Sequence, residues 1–240
     1  MIVNTYEPFG IIAAMDGVIE LLLHEVKVHK LIIQSKLVFY QGLLHNHRVI
    51  LVRCGNGKVN AALCASLLAR LFGVKSIIIL GVSTPLDQSL TPGDIVIAQD
   101  VIQHDLDLSA GGYAPGLIPS LQLRAINTDP ALSDILLASG TSLIGAALYH
   151  GRVLTGDQCI TDTKSIQLLH SLFHGLAADM ESAAAGLVCY LERIPFAVAC
   201  AVAANPAQIN MSDTPFGRLV ILNLTLVIRN LVSYFMRVPS

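Results

Sequence analysis

Ser76-Ile77-Ile78-Ile79-Leu80-Gly81 carries no polar side chain after its first residue. A strand so uniformly apolar offers no face to water, so the sheet that receives it must be covered on both sides. Gly10-Ile11-Ile12-Ala13-Ala14-Met15 and the run from Phe196 to Ala203 read the same way. Between such runs lie segments of helical length and composition: Asp16 to His24, Asn60 to Phe72, Ala131 to Ser139, Lys164 to Leu172 and Ala183 to Glu192. Strands alternating with helices predict an α/β architecture around a mixed sheet. Further strands are expected at 31–33 and 37–40, joined by a turn at 34–36, and at 48–54, 94–101, 143–154 and 176–178. The Gly- and Pro-bearing region from Gln103 to about Asn127 reads as a long functional loop.

A length of 240 residues with 53% hydrophobic content suits one large domain, residues 1–240, better than two. Net charge is −2, only 13% of residues are charged, and no Lys/Arg cluster occurs, which argues against nucleic-acid or membrane partners. A small molecule or a second copy of the chain is the expected partner. A mean hydropathy of +0.63 with so few charges points to a buried subunit interface. Cys54, Cys64, Cys159, Cys189 and Cys200 are scattered, odd in number and free of C-x-x-C spacing. They read as reduced cysteines of a cytoplasmic protein, and residues 1–8 lack the basic-then-apolar build of a signal peptide. The apolar tract from Leu219 to Met236 is broken by Asn223, Thr225, Arg229, Asn230 and Ser233, so it reads as an amphipathic closing helix within Pro215 to Met236. Arg218, Thr225, Arg229, Ser233 and Arg237 fall at helical spacing on its polar side. The histidines, four of them at positions 24, 29, 45 and 47, have no metal-ligand spacing.

Leu176-Ala177-Ala178-Asp179-Met180-Glu181-Ser182 is the stretch most suggestive of chemistry. An apolar run ending in acids before an alanine-rich helix reads as the carboxyl end of a buried strand, where open α/β sheets bind ligands. The same acids could simply favour a helix N-terminus. Gly55-Asn56-Gly57-Lys58 could cradle an anion at a helix start, but without the P-loop spacing it reads rather as a structural turn.

Taken in order, several motifs resemble the family of 5′-methylthioadenosine/S-adenosylhomocysteine nucleosidases, within the purine-nucleoside phosphorylase superfamily. They are Gly10 to Met15, Gly55-Asn56-Gly57-Lys58-Val59, Leu90-Thr91-Pro92-Gly93-Asp94, His104-Asp105-Leu106-Asp107, Gly112-Tyr113, Thr155-Gly156-Asp157 and Asp179-Met180-Glu181. The resemblance runs from about residue 8 to about residue 237. It implies a three-layer α/β/α sandwich around a mixed, partly closed sheet, a homodimer, no metal or organic cofactor, and a purine nucleoside as ligand. By the same resemblance Met180 and Met15 lie against the ligand, Asp179 stands beside them, and Glu181 takes the ribose 2′ and 3′ hydroxyls. A carboxylate suits that place, because it accepts two hydrogen bonds and supports the charge that builds on the sugar as the N-glycosidic bond breaks. Cys159 and Ile160 fall where the family binds the purine, and His104 to Asp107 falls near its dimer interface.

The chain departs from the family where bonds are broken. Val18 stands in place of the water-activating Glu, Ala204 in place of the Asp that delivers a proton to the base, Cys200 in place of an Arg, and Val82 in place of an assisting Ser. A slip of one residue puts Asn205 and Ser83 at two of these places, and Asn205 could read a 6-oxopurine through its amide. Asp16 could reach inward if its helix starts late, and Phe216 could close the pocket around the 5′ substituent. Two functions follow. The first is a nucleosidase acting on methylthioadenosine/S-adenosylhomocysteine-like or futalosine-like nucleosides, with Asn205 and Asp16 as candidate catalytic groups. The second is a catalytically degenerate nucleoside-binding protein; a structural role without ligand is a weaker third.

Overall fold

A computed structural model of the chain describes residues 7–203 and 214–237. The described residues form, in order, β1 (Phe9–Ala13), α1 (Asp16–Leu23), β2 (Val26–Gln34), β3 (Leu37–Leu44), β4 (His47–Arg53), α2 (Lys58–Arg70), β5 (Ser76–Pro85), β6 (Ile95–Gln103), β7 (Ile126–Asn127), α3 (Pro130–Leu137), β8 (Leu148–Thr155), α4 (Thr163–Phe173), β9 (Ala177–Asp179), α5 (Ser182–Glu192), β10 (Phe196–Val202) and α6 (Pro215–Arg237). All ten strands join one sheet.

The sheet closes on itself over half its width. β5 pairs with β10, β10 with β6, β6 with β8, β8 with β9, and β9 returns to β5. From β5 the sheet continues outward as β1, β4, β3 and β2. This is the mixed, partly closed sheet expected. Parallel pairs carry its centre, since β1 lies parallel to both β4 and β5, and β5 parallel to β10.

The uniformly apolar strands are buried on both faces because their alternating side chains feed two separate cores. Ile78 and Leu80 of β5 join a cluster with Val18, Ile19 and Leu22 of α1 and the apolar stripe of α6. Ile77 and Ile79 join a second cluster with Ala61, Cys64, Ala65 and Leu68 of α2 and Ala183, Ala185 and Cys189 of α5. β10 makes the same division: Ala197, Ala199, Ala201 and Ala203 face α6, while Val198, Cys200 and Val202 face α5. The row of alanines leaves room for Val220, Leu224, Val227 and Ile228 of α6 to settle close to the strand. Helices therefore cover both sides, giving the three-layer sandwich. A smaller cluster of Leu86, Ile102, Leu154, Ile160, Leu169, Phe173 and Ala178 seats α4.

Four expectations shift. β2 and β3 are longer than read, nine and eight residues, because the hairpin turn is confined to Ser35 and Lys36, both at positive φ (53° and 62°). β5 runs on to Pro85, and β8 begins only at Leu148. Thr225 does not belong to a polar face of α6: it is fully buried, and its hydroxyl donates to the Ile221 carbonyl one turn back. Asn223 is equally buried, and its amide clasps the backbone of Ile144, accepting from the N–H at 3.0 Å and donating to the carbonyl at 3.1 Å. These two of the polar interruptions of the apolar tract are thus satisfied inside the protein. Among the described residues no helix is long and apolar enough to cross a membrane.

Candidate active site

Short β9 delivers Asp179 to the edge of the closed part of the sheet, and the chain then turns through Met180 into α5. Asp179 is buried (4% exposed) but well supplied with donors. The Thr155 hydroxyl donates to it at 2.6 Å, the Ser182 hydroxyl donates to its other oxygen, and the Ser182 and Glu181 amides approach at 3.3 Å. The Cys200 thiol donates at 3.5 Å. Cys200, where the resembling family carries an Arg, thus gives Asp179 a neutral donor. Burial raises both the Asp179 carboxyl and the Cys200 thiol, so the thiol stays protonated.

Glu181 is the N-cap residue of α5, yet its side chain does not cap its own helix. It reaches instead to the start of α2, where one carboxylate oxygen accepts from the Gly57 N–H at 2.8 Å. Glu181 therefore stands at a helix N-terminus without capping it through its side chain. It is 5% exposed; burial first, then the negative charge of Asp179, push its pKa up to about 8. Asp179 has several donors and Glu181 has one short one, and the two neighbouring carboxyls, both raised by burial, titrate as a coupled pair.

The Gly55-Asn56-Gly57-Lys58 turn cradles the protein's own carboxylates. Gly57 N–H points at Glu181 and Lys58 N–H at Asp157, both at 2.8 Å, so the first donors of α2 are taken. Gly57 has φ of 98°, which a side chain rarely adopts, and a Cβ there would stand 3.1 Å from the Asp157 carboxylate. Asp105 completes the arrangement, accepting from Lys58 Nζ at 2.7 Å and from the Asp157 N–H at 2.9 Å. Burial alone would raise its pKa, but these donors and the Lys58 charge bring the Asp105 carboxyl below its ordinary value. His104 packs its ring against Gly156, where a Cβ would collide with it. Burial lowers its pKa, and its Nε2 has no partner among the described residues.

At the positions where the family resemblance implied water activation, the side chains are apolar. Val18 is 1% exposed inside the α1/α6 core, and Met15 and Val82 pack against the same cluster. Ser83, one residue after Val82, alternates to the other face of β5; it is buried and its hydroxyl donates to the Ala201 carbonyl at 3.3 Å. Asp16 does not turn inward. α1 starts at Asp16 itself, and the carboxylate lies exposed at 2.5 Å from the Arg53 guanidinium. Asn205 lies outside the described residues, as does the side chain of Phe216. Cys159 is exposed, whereas Ile160 is buried with its carbonyl accepting from the Thr84 hydroxyl at 2.8 Å. Met180 is half-buried.

The structure thus gathers Asp179, Met180 and Glu181 with Gly57, read from sequence as part of a structural turn, and Cys200, read as a departure from the family, and adds Thr155, Ser182 and Asp157, which sequence reasoning gave no role. Thr155-Gly156-Asp157 was visible as a motif, and Ser182 follows Asp179 at helix-capping distance. Their convergence depends on loops more than 90 residues apart, as from Lys58 to Asp157. The described residues contain no group of three His, Cys, Asp or Glu side chains placed to hold a metal.

Against known proteins, the family model described as the phosphorylase superfamily matches residues 8–233. A 5′-methylthioadenosine/S-adenosylhomocysteine nucleosidase of Staphylococcus aureus is 31% identical over 227 residues, covering 93% of this chain and 98% of that protein. Among solved structures, the corresponding nucleosidase of Neisseria meningitidis, in complex with methylthio-immucillin-A, superposes with a TM-score of 0.87 at 27% identity, covering 95% of this chain and 99% of the other. The futalosine hydrolase of Helicobacter pylori strain 26695 superposes with a TM-score of 0.86 at 27% identity, covering 95% and 98%.

Proposed function

Because the chain belongs to the phosphorylase superfamily and, within it, to the family of 5′-methylthioadenosine/S-adenosylhomocysteine nucleosidases, we propose that it is a single-domain purine-nucleoside N-ribosyl hydrolase acting on 5′-modified nucleosides of the methylthioadenosine/S-adenosylhomocysteine or futalosine kind. The observation that carries this reading is Glu181, a buried carboxylate drawn away from its own helix and held by the Gly57 N–H at the carboxyl end of β9. In that position it accepts hydrogen bonds from the ribose hydroxyls and stabilises the positive charge that develops on the ring as the base departs. Met180 and Met15 offer apolar contact to the sugar, and Cys159 and Ile160 flank the base. Asn205 reads the departing base through its amide, which donates and accepts hydrogen bonds.

A second reading is favoured by the apolar wall of Val18, Val82 and Met15. Each general acid or base missing from such a site is worth ~10²–10⁴ in rate, so a pocket lacking both binds nucleosides and cleaves them slowly. Incubation with methylthioadenosine, S-adenosylhomocysteine, futalosine and inosine, with assay of the released base, separates the two. Release from any of them supports the hydrolase. Binding without release supports the degenerate pocket, and a gain of activity in the double variant Val18→Glu, Ala204→Asp would reinforce it.

The homodimer belongs to the same proposal and is supported by apolar side chains left exposed on α2, α4 and α5, among them Val59 (78%), Leu168 (56%) and Leu191 (56%). A cytoplasmic location is supported by the five free cysteines.

A further inference from the structure

Glu181 can grip a sugar only if its own partner is held in place, and the means of holding it lie outside the pocket. The Gly57 N–H is aimed by the turn that begins α2, and α2 has no side-chain cap from its own N-cap residue. Asp157, arriving from the end of β8, does that work from a distance by accepting the Lys58 N–H at 2.8 Å. Asp157 is in turn fixed through its own N–H by Asp105 at 2.9 Å, and Asp105 is anchored by Lys58 Nζ at 2.7 Å. The three residues therefore close a ring of hydrogen bonds: Lys58 to Asp157 to Asp105 and back to Lys58. It ties the exits of β4, β6 and β8 together immediately beside Glu181. An ion pair with side chains only 21% and 18% exposed keeps its geometry better than one in free solvent.

We propose that Asp157 is a positioning residue for the sugar site, setting the direction of the Gly57 N–H that Glu181 receives, with Asp105 and Lys58 holding Asp157 in register. Asp157 is not a catalytic residue in this scheme; it acts through Gly57 on Glu181. This rests on the reading of Glu181 as the ribose grip. The expected signature is selective: loss of Asp157 weakens recognition of the ribose hydroxyls and leaves the rest of the nucleoside's contacts in place.

The test compares, by calorimetry, binding of the 7-deaza analogue of 5′-methylthioadenosine, which lacks the N7 atom whose protonation drives cleavage, and of its 2′,3′-dideoxy form. The parent prefers the ribo form. Asp157→Ala is expected to weaken the ribo form about tenfold, as for one mispositioned charge-assisted hydrogen bond, and to change the dideoxy form less than about twofold. Asp157→Asn, whose amide oxygen still accepts from Lys58 N–H, is expected to restore most of the preference. Should Asp157→Ala fail to fold, Asp105→Ala reads the same ring from its other side, with the same selective loss expected. Equal weakening of both ligands, or an undiminished preference in both alanine variants, would overturn the positioning role. A parent that binds neither ligand, or binds both equally, would overturn the ribose reading and this inference with it.

Discussion

Glu181 carries an uncommon combination: a carboxylate needed for hydrogen bonding, in a place where burial and Asp179 favour its protonated form. Its pKa in the folded state, about 8, lies above its ordinary value of 4.5. The folded state therefore binds more protons between those values than the unfolded chain does. The resulting stabilisation is complete below the ordinary value and is lost as pH rises through the folded one. Urea unfolding of the free protein is expected to show falling stability from pH 5 to pH 8, and Glu181→Gln to flatten that slope. If Glu181 grips the ribose as proposed, the hydroxyls donate to its ionised form, so nucleoside binding below pH 8 is expected to release a proton and to tighten by up to about tenfold per pH unit until it levels off. Calorimetry in buffers of different ionisation enthalpy measures that proton directly. Val18 gives the opposite experiment. Val18→Glu places a carboxyl group in the α1/α6 core, and a thermal melt is expected to register a loss of ~3 kcal/mol, the cost of an unpaired buried charge. At this scale the sequence was informative where chemistry is local. Asp179-Met180-Glu181 stood out as a candidate site because acids ending an apolar run are unusual. Asp16 was misjudged because the partner that draws it outward, Arg53, stands 37 residues away.

Helix α6 shows how an element reads differently once its neighbours are known. Its polar residues at helical spacing suggested a solvent face, but Thr225 and Asn223 are buried, one bonded within the helix and the other to the Ile144 backbone. A hydroxyl that bonds the preceding turn is invisible to a periodicity argument, because the residue type alone says polar. Asn223→Ala strands the N–H and carbonyl of Ile144 and is expected to cost about 1–3 kcal/mol in chemical denaturation, whereas an exposed substitution on the same helix, such as Arg218→Ala, stays within about 0.5 kcal/mol. The apolar strands were legible for a stronger reason: a run such as Ile77 to Leu80 has no second interpretation once helices flank it. Strand ends were less so, since β5 continues through Ser83 and Thr84 into Pro85 only because β9 and β10 are there to pair with it.

For the whole molecule, the α/β class and the mixed sheet followed from the alternation of elements, whereas the three-layer sandwich and the closure of the sheet came only from the family resemblance. Closure depends on β5 meeting β10 across more than a hundred residues, Ile77 against Phe196 and Ser83 against Val202. If the homodimer proposed above forms, sedimentation should give twice the 25.6 kDa of one chain at micromolar concentration. The circuit of β5, β10, β6, β8 and β9 also bears on the order in which the protein acquires its site. Asp179 receives the Cys200 thiol from β10, the last strand described, while its other donors come from β8 and the start of α5. A chain still emerging from the ribosome, complete through α5 but lacking β10, leaves that carboxylate wet and the ring open along β5. The donor set of Asp179 is therefore complete only once β10 has docked on β5, and long-range closures of this kind are the slow ones.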